Sequence, residues 1–471
     1  MGRRVVIDPV TRIEGRSRAV IELDEAGRVR DARVEVTALR GFEAVCAGRP
    51  LRELPALTAR ICGICPTAHA LAAAKAGDVL LGAAPPPAAR RLRRLAMLAQ
   101  LVQSHALAFF YLSAPDFVLG YDAEPARRNF LVAAEVAPGL LRDGVLLRRV
   151  GQEVLARLGG RRVHAPYIVA GGVAAPLTPS DRDAIAAGLP EALAAAERTL
   201  AWWAATLPAR ADEAASCGAF ETPFLALVGA KGELDPCEGA LRLVSAAGAI
   251  LEDGLDPARY QELIGERTVT WSRLKHPYWR SLGFPAGAYR VGPLARLNAV
   301  ARCGTPRADR ALREFRALGR GAVLSTFHAH GARLVEILFA LERMDELLRD
   351  PHLLGREVLA PAGEACGEAV GACEAPRGTL FHHYRVDAGG LVTWANLLVA
   401  TGQNATAMDR AVRQVAARWV DGPRITEALR SRVSAAIRAF DPCLSCSTHA
   451  VRGPEAELRL VGASGELLDE I

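Results

Sequence analysis

The chain has 471 residues, 51% of them apolar and 23% charged, with a formal charge of +6. That length and balance allow a large buried core and exclude a disordered or low-complexity chain. The arginines are spread along the sequence without interleaved aromatics, which argues against a nucleic-acid partner. The densest group, Arg90 to Arg94, reads as the solvated face of a helix that follows Pro85, Pro86 and Pro87.

The first 45 residues alternate like strands over 5–8, 18–23 and 29–37, with a turn at 24–27, and predict a small antiparallel sheet. After Pro66 the period becomes helical and Ala-rich, predicting helices over 68–81, 88–110, 179–207 and 332–348, and most of the chain between them also reads as helix. A second strand-like stretch covers 378–393, followed by a helix pair over 407–420 and 425–439. The expected class is α+β and mainly α-helical, a central bundle of long helices with a small N-terminal sheet. No repeat or linker divides it. No apolar run reaches the roughly 18 to 20 residues that span a bilayer, the stretch 168–177 being broken by Gly171, Gly172 and Pro176. Residues 1–10 lack the apolar segment of an export signal, which places the chain in the cytoplasm unless a partner carries a signal for it.

Four of the ten cysteines form two C-x-x-C pairs near opposite ends of the chain. The first is Arg60-Ile-Cys62-Gly-Ile-Cys65-Pro66, with His69 four residues beyond Cys65. Pro66 favours a first helical turn, which puts Cys65 at the N-cap, where the helix dipole and free N–H groups favour thiolate. Gly63 is expected to let the backbone turn so that both sulfurs converge. The second pair is Asp441-Pro442-Cys443-Leu-Ser-Cys446, with His449 three residues on. Four thiolates suit zinc, iron or nickel. Inert buried thiols, a structural zinc site and a redox dithiol compete with a catalytic metal centre built from both chain ends. Zinc ribbons bring their two pairs from nearby segments, whereas here most of the chain intervenes. The cysteines at 46, 217, 237, 303, 366 and 373 are expected to be small buried residues.

These two motifs resemble the signatures of nickel-iron hydrogenase large subunits. The likeness extends through Thr11-Arg-Ile-Glu14-Gly15, Arg40-Gly-Phe-Glu43, the helix from Ser104 and His105 to Asp116, Phe327-His-Ala-His330, and Glu374-Ala-Pro376-Arg377 onward to His383. The resemblance implies that Cys62, Cys65, Cys443 and Cys446 ligate nickel, and that Cys65 and Cys446 bridge to an iron carrying carbon monoxide and cyanide. It implies heterolytic cleavage of H2, with hydride held by the metal pair and the proton passing to Cys443 and then to Glu14. A carboxyl beside a thiolate away from water keeps its proton more readily. Arg377 is expected above the open metal position, oriented by Asp116, with Pro376 beside the cyanides, His69 beside a bridging sulfur and Asp441 in the surrounding layer. Glu43, His449 and the backbone carbonyl of Ala405 are expected to hold magnesium.

By the same resemblance, residues 1–449 form one domain, and 450–471 are an extension that a maturation protease removes between His449 and Ala450 after nickel-insertion factors have acted. Electrons need an iron-sulfur small subunit, since no further cysteine motif here could hold a cluster. The segments 40–50, 114–117 and 381–384 resemble the cytoplasmic NAD-coupled branch, which adds a flavin-containing diaphorase; Arg16 departs from that branch's usual histidine. A hydrogen-sensing relative is one alternative. Another is the metal-free quinone-pocket subunit of respiratory complex I, against which the four cysteines argue.

Overall fold

Alternating burial along the N-terminal segment produces the expected sheet: Arg4–Ile7, Arg18–Leu23 and Val29–Glu35 pair antiparallel in chain order, with Val5 opposite Ile21 and Ile21 opposite Ala32. The computed structural model describes residues 4–39, 41–420 and 426–448, together with the backbone of 459–461 and 467–470. The helix Ala405–Trp419 packs on the third strand, and Asp409 accepts the Val34 N–H at 2.7 Å.

Among the described residues helix makes up 51% of a mixed helix-and-sheet fold. The Ala-rich periods appear as Pro66–Leu80, Pro87–Ala106, Pro179–Thr206 and Ala329–Arg349, joined by Pro138–Gly159. Four of the five begin on a proline, whose missing N–H costs nothing in a first turn. Pro87–Ala106 lies against Pro138–Gly159 and Ala329–Arg349, and the last also packs on Pro179–Thr206. Residues Leu107–Ser113 continue the second of these as a π-helix that leads into Ala114–Leu119. The whole run from Pro87 to Leu119 is long and apolar enough to cross a membrane by length and composition, contrary to the expectation that no such run exists. Its most apolar window is 83% buried inside the protein, so here its apolarity serves the core.

The middle of the chain departs from the helical expectation. Phe224–Val228, Ala240–Val244 and Ile250–Leu255 form an antiparallel sheet, and Ile264–Val269 pairs with Ser272–Trp279. Phe224–Val228 is buried at every position, so it shows no alternation, and an unbroken apolar run cannot be told from a buried helix by period. The strand stretch expected at 378–393 is one and a half strands of a three-stranded sheet: Glu368–Ala375, Gly378–Val386 and Val392–Leu398. Ala375 pairs with Gly378, which makes Pro376 and Arg377 the two-residue turn between the first two strands.

The arginine cluster is also not a solvated face. Arg93 is buried and grips both oxygens of Asp78, at 2.6 and 3.0 Å, while reaching the carbonyls of Gly172 and Val169. Arg91 pairs with Asp350 and Arg94 with Asp235. The helix turns these cations toward neighbouring elements, which no linear charge pattern reveals. Of the six cysteines outside the motifs, Cys366 is exposed, at the loop before Glu368–Ala375; the other five are buried.

Two outcomes follow from buried ionisable groups. Asp78→Ala leaves the Arg93 guanidinium without a carboxylate in the interior, and should lower unfolding free energy by about 3 to 5 kcal/mol, read from the midpoint of chemical denaturation. His276 is buried, its Nδ1 3.1 Å from the Thr406 hydroxyl, and burial pushes it down to about 4. Above its ordinary value it is neutral in both states; between that value and 4 only the unfolded chain takes up the proton, so stability falls as pH drops through this window. His276→Gln should flatten the slope of stability against pH there by one proton.

Candidate metal centre

Two segments from opposite ends of the chain bring four sulfurs together. Cys62 ends the short helical turn Ala59–Ile61, and Cys65 is the N-cap of Pro66–Leu80, as the position of Pro66 predicts. The N–H groups of Ile64 and Cys65 point at the Cys62 sulfur from 3.2 and 3.4 Å. Cys443 precedes the turn Leu444–Ser447, which carries Cys446. The sulfurs lie 3.2 Å apart for Cys62 and Cys443, 2.8 Å for Cys443 and Cys446, and 3.8 Å for Cys65 and Cys446. All four fall within 4.8 Å of one another and all are buried. Gly63 does not have the role expected of it: its φ lies outside the left-handed region and it has open space around it.

The donor set fits a soft transition metal. It has four thiols and no carboxylate, a combination suited to nickel, iron or zinc and unsuited to magnesium or calcium. Hydrogen bonds from Cys443, Cys446 and Cys62, with a further one from His69, hold Cys65 well below the usual thiol range, whereas burial pushes Cys443 and Cys446 up. One thiolate is therefore stabilised by its neighbours, and a bound cation would remove the penalty on the others. A closed structural zinc site leaves no room at the metal. Here a small cavity opens beside Cys65, Cys443 and Cys446, walled by Ala375, Pro376, Leu380 and Val399. Arg377 and Thr401 also line it, and the Thr401 hydroxyl accepts the Cys443 N–H at 2.9 Å. Arg377 Nη1 is buried without a partner among the described residues, as is Oδ2 of Asp441.

Arg377 is held over the cysteines by its hairpin and by Asp441. Its Nε donates to the Asp441 carbonyl at 2.6 Å and its Nη2 to the carboxylate at 3.1 Å. Burial opposes the charge, but Asp441, Cys443, Cys65 and Cys62 hold Arg377 protonated, well above the usual guanidinium range. The turn is anchored from behind by Arg296, which donates to the carbonyls of Ala375 and Pro376 and to Glu374 and Glu336. Although burial works against it, Arg296, with help from His105, holds Glu336 down at about 2. Gly292 and Gly378 let the two backbones meet: a Cβ on Gly292 would sit 2.7 Å from the Arg377 carbonyl.

Asp116, expected to orient Arg377, does something else. It accepts from Arg12 and Arg438 and lies 3.6 Å from Arg128 Nε. Arg438 also reaches the Thr11 carbonyl at 3.0 Å. The carboxylate at Arg377 is Asp441. Asp116 instead clamps the segment before Glu14 to the helix Glu427–Ala439 that leads into the second cysteine pair. The pairing of Asp116 with Arg377 came from the family resemblance, and nothing in the linear sequence says which of the buried arginines a carboxylate meets.

Glu14 forms a parallel bridge with Cys443, and its carboxylate accepts the Ser445 N–H at 3.0 Å and the Ser445 hydroxyl. A Cβ on Gly15, whose φ is +85°, would come within 2.7 Å of the Leu444 Cβ, so the Glu-Gly pair is what the close approach requires. Arg16 points outward to Asp8. His69 is buried, with its Nδ1 3.0 Å from His382 Nε2. Glu43 is half-buried on Phe42–Cys46, and Ala405 is buried at the start of its helix. Arg40, His449 and Ala450 lie outside the described residues.

His164 and Thr401 carry no motif signal, and sequence reasoning missed both. The Nε2 of His164 lies 3.0 Å from the Cys62 carbonyl, which can only accept, so the ring proton sits there. His164 is one of three non-glycine residues with positive φ among the described residues, with Arg12 and Asp441. His164 steadies the first cysteine pair, Asp441 holds Arg377, and Arg12 belongs to the Asp116 cluster. Strained backbone of this kind gathers where the surroundings over-determine geometry for function.

The chain is similar to known proteins along most of its length. The family described as nickel-dependent hydrogenase matches residues 40–134 and 251–449, and a family described as HoxL-like matches 4–39. The chain is 40% identical to the NAD-reducing hydrogenase HoxS subunit beta of Cupriavidus necator, over 100% of this chain and 99% of that one. It is also 40% identical to a vhu subunit of the F420-non-reducing hydrogenase of Methanococcus voltae, over 88% and 98%. Among solved structures, an NAD+-reducing [NiFe]-hydrogenase in the H2-reduced state superposes with a TM-score of 0.92 at 43% identity, covering 95% of this chain and 99% of that one. The Ni-Fe-Se hydrogenase of D. vulgaris Hildenborough gives 0.77 at 26%, covering 95% and 100%.

Asp116→Ala removes the carboxylate shared by Arg12 and Arg438 at the junction of the chain ends. It should cost about 3 to 5 kcal/mol of stability in the metal-free protein and speed proteolysis near residues 4–17. An unchanged melting temperature would reject the clamp.

Proposed function

The chain belongs to the nickel-dependent hydrogenase family, and from that premise we propose that it is the catalytic subunit of an enzyme that reversibly splits H2 and delivers the electrons toward NAD(P). The observation that carries this reading is the set of four buried sulfurs, drawn from both ends of the chain, beneath Arg377. Cys62, Cys65, Cys443 and Cys446 would hold nickel, and Cys65 and Cys446 would also hold iron, beside the small cavity that these two and Cys443 line. When bound, this pair supplies the site that polarises H2 and takes up its electrons.

The chain's own groups handle the proton and exclude water. The Cys443 sulfur takes the proton first. Glu14, fixed by two hydrogen bonds from Ser445 on the turn that follows Cys443, takes it next. Being half-buried, it can pass the proton outward. Arg377, kept charged and aimed by Asp441, places a fixed cation above the sulfurs, where water would otherwise enter. Arg377, whose Nη1 has no partner among the described residues, would donate to the anionic cyanide ligands of the iron, and the apolar wall of Ala375, Pro376, Leu380 and Val399 would suit carbon monoxide.

The same reading assigns magnesium to Glu43, the Ala405 carbonyl and His449. It assigns the electron exit to a flavin-containing diaphorase reached through an iron-sulfur small subunit, in the cytoplasm, the named NAD-reducing relatives supporting that branch. The long helices serve as a central bundle, and residues 1–449 as one domain. A maturation protease, acting after nickel-insertion factors, would cut between His449 and Ala450 and remove 450–471.

The test is metal and infrared analysis of the matured complex. Nickel and iron in equal amounts, with iron-bound carbonyl and cyanide bands, are expected; a complex active without nickel overturns the proposal. Glu14→Gln should retain both metals and lose about 100-fold or more in H2 oxidation, the usual range for a positioned proton-transfer group.

A further inference from the structure

The first cysteine pair sits on a loop that reaches the surface: Gly63 is exposed and Ile64 half-buried, while both sulfurs are buried. A loop this short, with open space around Gly63, cannot hold two side chains in one geometry by itself. Two glutamines on the helix Pro87–Ala106 hold it. Gln100 and Gln103 are about one turn apart and so share a helix face, and both are buried. Their amide nitrogens donate to the same oxygen, the Ile64 carbonyl, at 2.6 and 2.8 Å.

The peptide plane converts that grip into an aim. The Ile64–Cys65 bond is trans, and in a trans peptide the carbonyl and the following N–H point in opposite directions. Pinning the Ile64 oxygen toward the glutamines therefore fixes the Cys65 N–H on the other side, where it lies 3.4 Å from the Cys62 sulfur. The Ile64 N–H approaches the same sulfur at 3.2 Å.

Gln100 has a second task. Its Oε1 accepts the Thr67 N–H at 3.3 Å. Thr67 is the second residue of the helix Pro66–Leu80, and its N–H is one that an N-cap side chain ordinarily accepts. Cys65 is that N-cap, and its side chain makes no such bond. The neighbouring helix supplies the cap instead, which leaves the Cys65 sulfur uncommitted. Partners at both ends settle how the Gln100 amide is turned, since a carbonyl can only accept and a backbone N–H can only donate. The helix Pro138–Gly159 packs so close that a Cβ on Gly151 would sit 2.9 Å from the Gln103 Cβ, which leaves Gln103 little freedom to turn away.

We propose that Gln100 and Gln103 are positioning residues of the metal centre: together they aim the Cys65 N–H at the Cys62 sulfur and relieve Cys65 of capping its own helix, so the first pair is set for a metal before one arrives. The inference rests on the four cysteines holding a soft metal and is independent of the H2 chemistry. Residues that orient metal ligands from behind are worth about 10- to 100-fold in metal affinity.

Cobalt(II) alone, titrated without oxygen into the full-length metal-free chain, tests it, because cobalt-thiolate complexes absorb by charge transfer in proportion to the number of sulfurs bound. Gln103→Met keeps the bulk of the side chain and removes one donor, so it should weaken cobalt binding and lower the absorption per bound cobalt. Gln100→Leu combined with Gln103→Leu should weaken binding by about 10- to 100-fold. Val102→Ala, a buried position on the same helix between them, should lower the melting temperature and leave both cobalt readings unchanged. Wild-type affinity and absorption in the double variant overturn the proposal, as does an equal loss in Val102→Ala. Should the double variant not fold, Gln103→Met decides in its place. A wild-type chain that shows no thiolate absorption with cobalt rejects the metal centre itself, a failure read before any variant is compared.

Discussion

Four thiols separated by most of the chain must occupy one dry volume, and the rest of the structure answers to that constraint. The two cysteine segments are too short to hold themselves in place: one is a helical turn and a helix N-terminus, the other a four-residue turn. Their meeting depends on longer levers. The long helices fix the first pair, and the Asp116 cluster ties the N-terminal strand and the helix before the second pair to one carboxylate. Glu14 closes the join by pairing with Cys443 along the backbone and with Ser445 through its side chain.

Charge is buried around this join to an unusual extent, and it is organised in two layers. The inner layer is Arg377 with Asp441, which leaves one buried atom of each without a partner among the described residues. The outer layer is Arg296 with Glu336, Glu374 and His105, in which every hydrogen-bonding atom of the guanidinium has a partner. A buried guanidinium whose every donor is satisfied holds what it touches in one geometry, and what Arg296 touches is the turn that presents Arg377.

The parts of this arrangement legible in the sequence were those encoded by local rules. Pro66 announced the helix that Cys65 caps, alternation announced the N-terminal sheet, and the two C-x-x-C motifs with their neighbours pointed to the family. What was misread involved groups whose meaning depends on a distant partner. Arg93 looked like surface charge and is a core ion pair with Asp78. Asp116 was assigned to Arg377 and belongs to Arg12 and Arg438. The strand Phe224–Val228 looked helical because a fully buried strand loses the alternation that would identify it.

The sequence by itself determined the chemistry available: which residues can be thiolates, which can carry a proton, and which turns the backbone must make, as Gly15 must where it passes Leu444. Those are properties of residue type and short-range sterics. Only the tertiary structure decided which charge meets which, because an ion pair is chosen by distance in space and by what burial leaves as the sole available partner. That is why Asp441 took the place expected for Asp116, and why His382, rather than the neighbouring His383, stands behind His69.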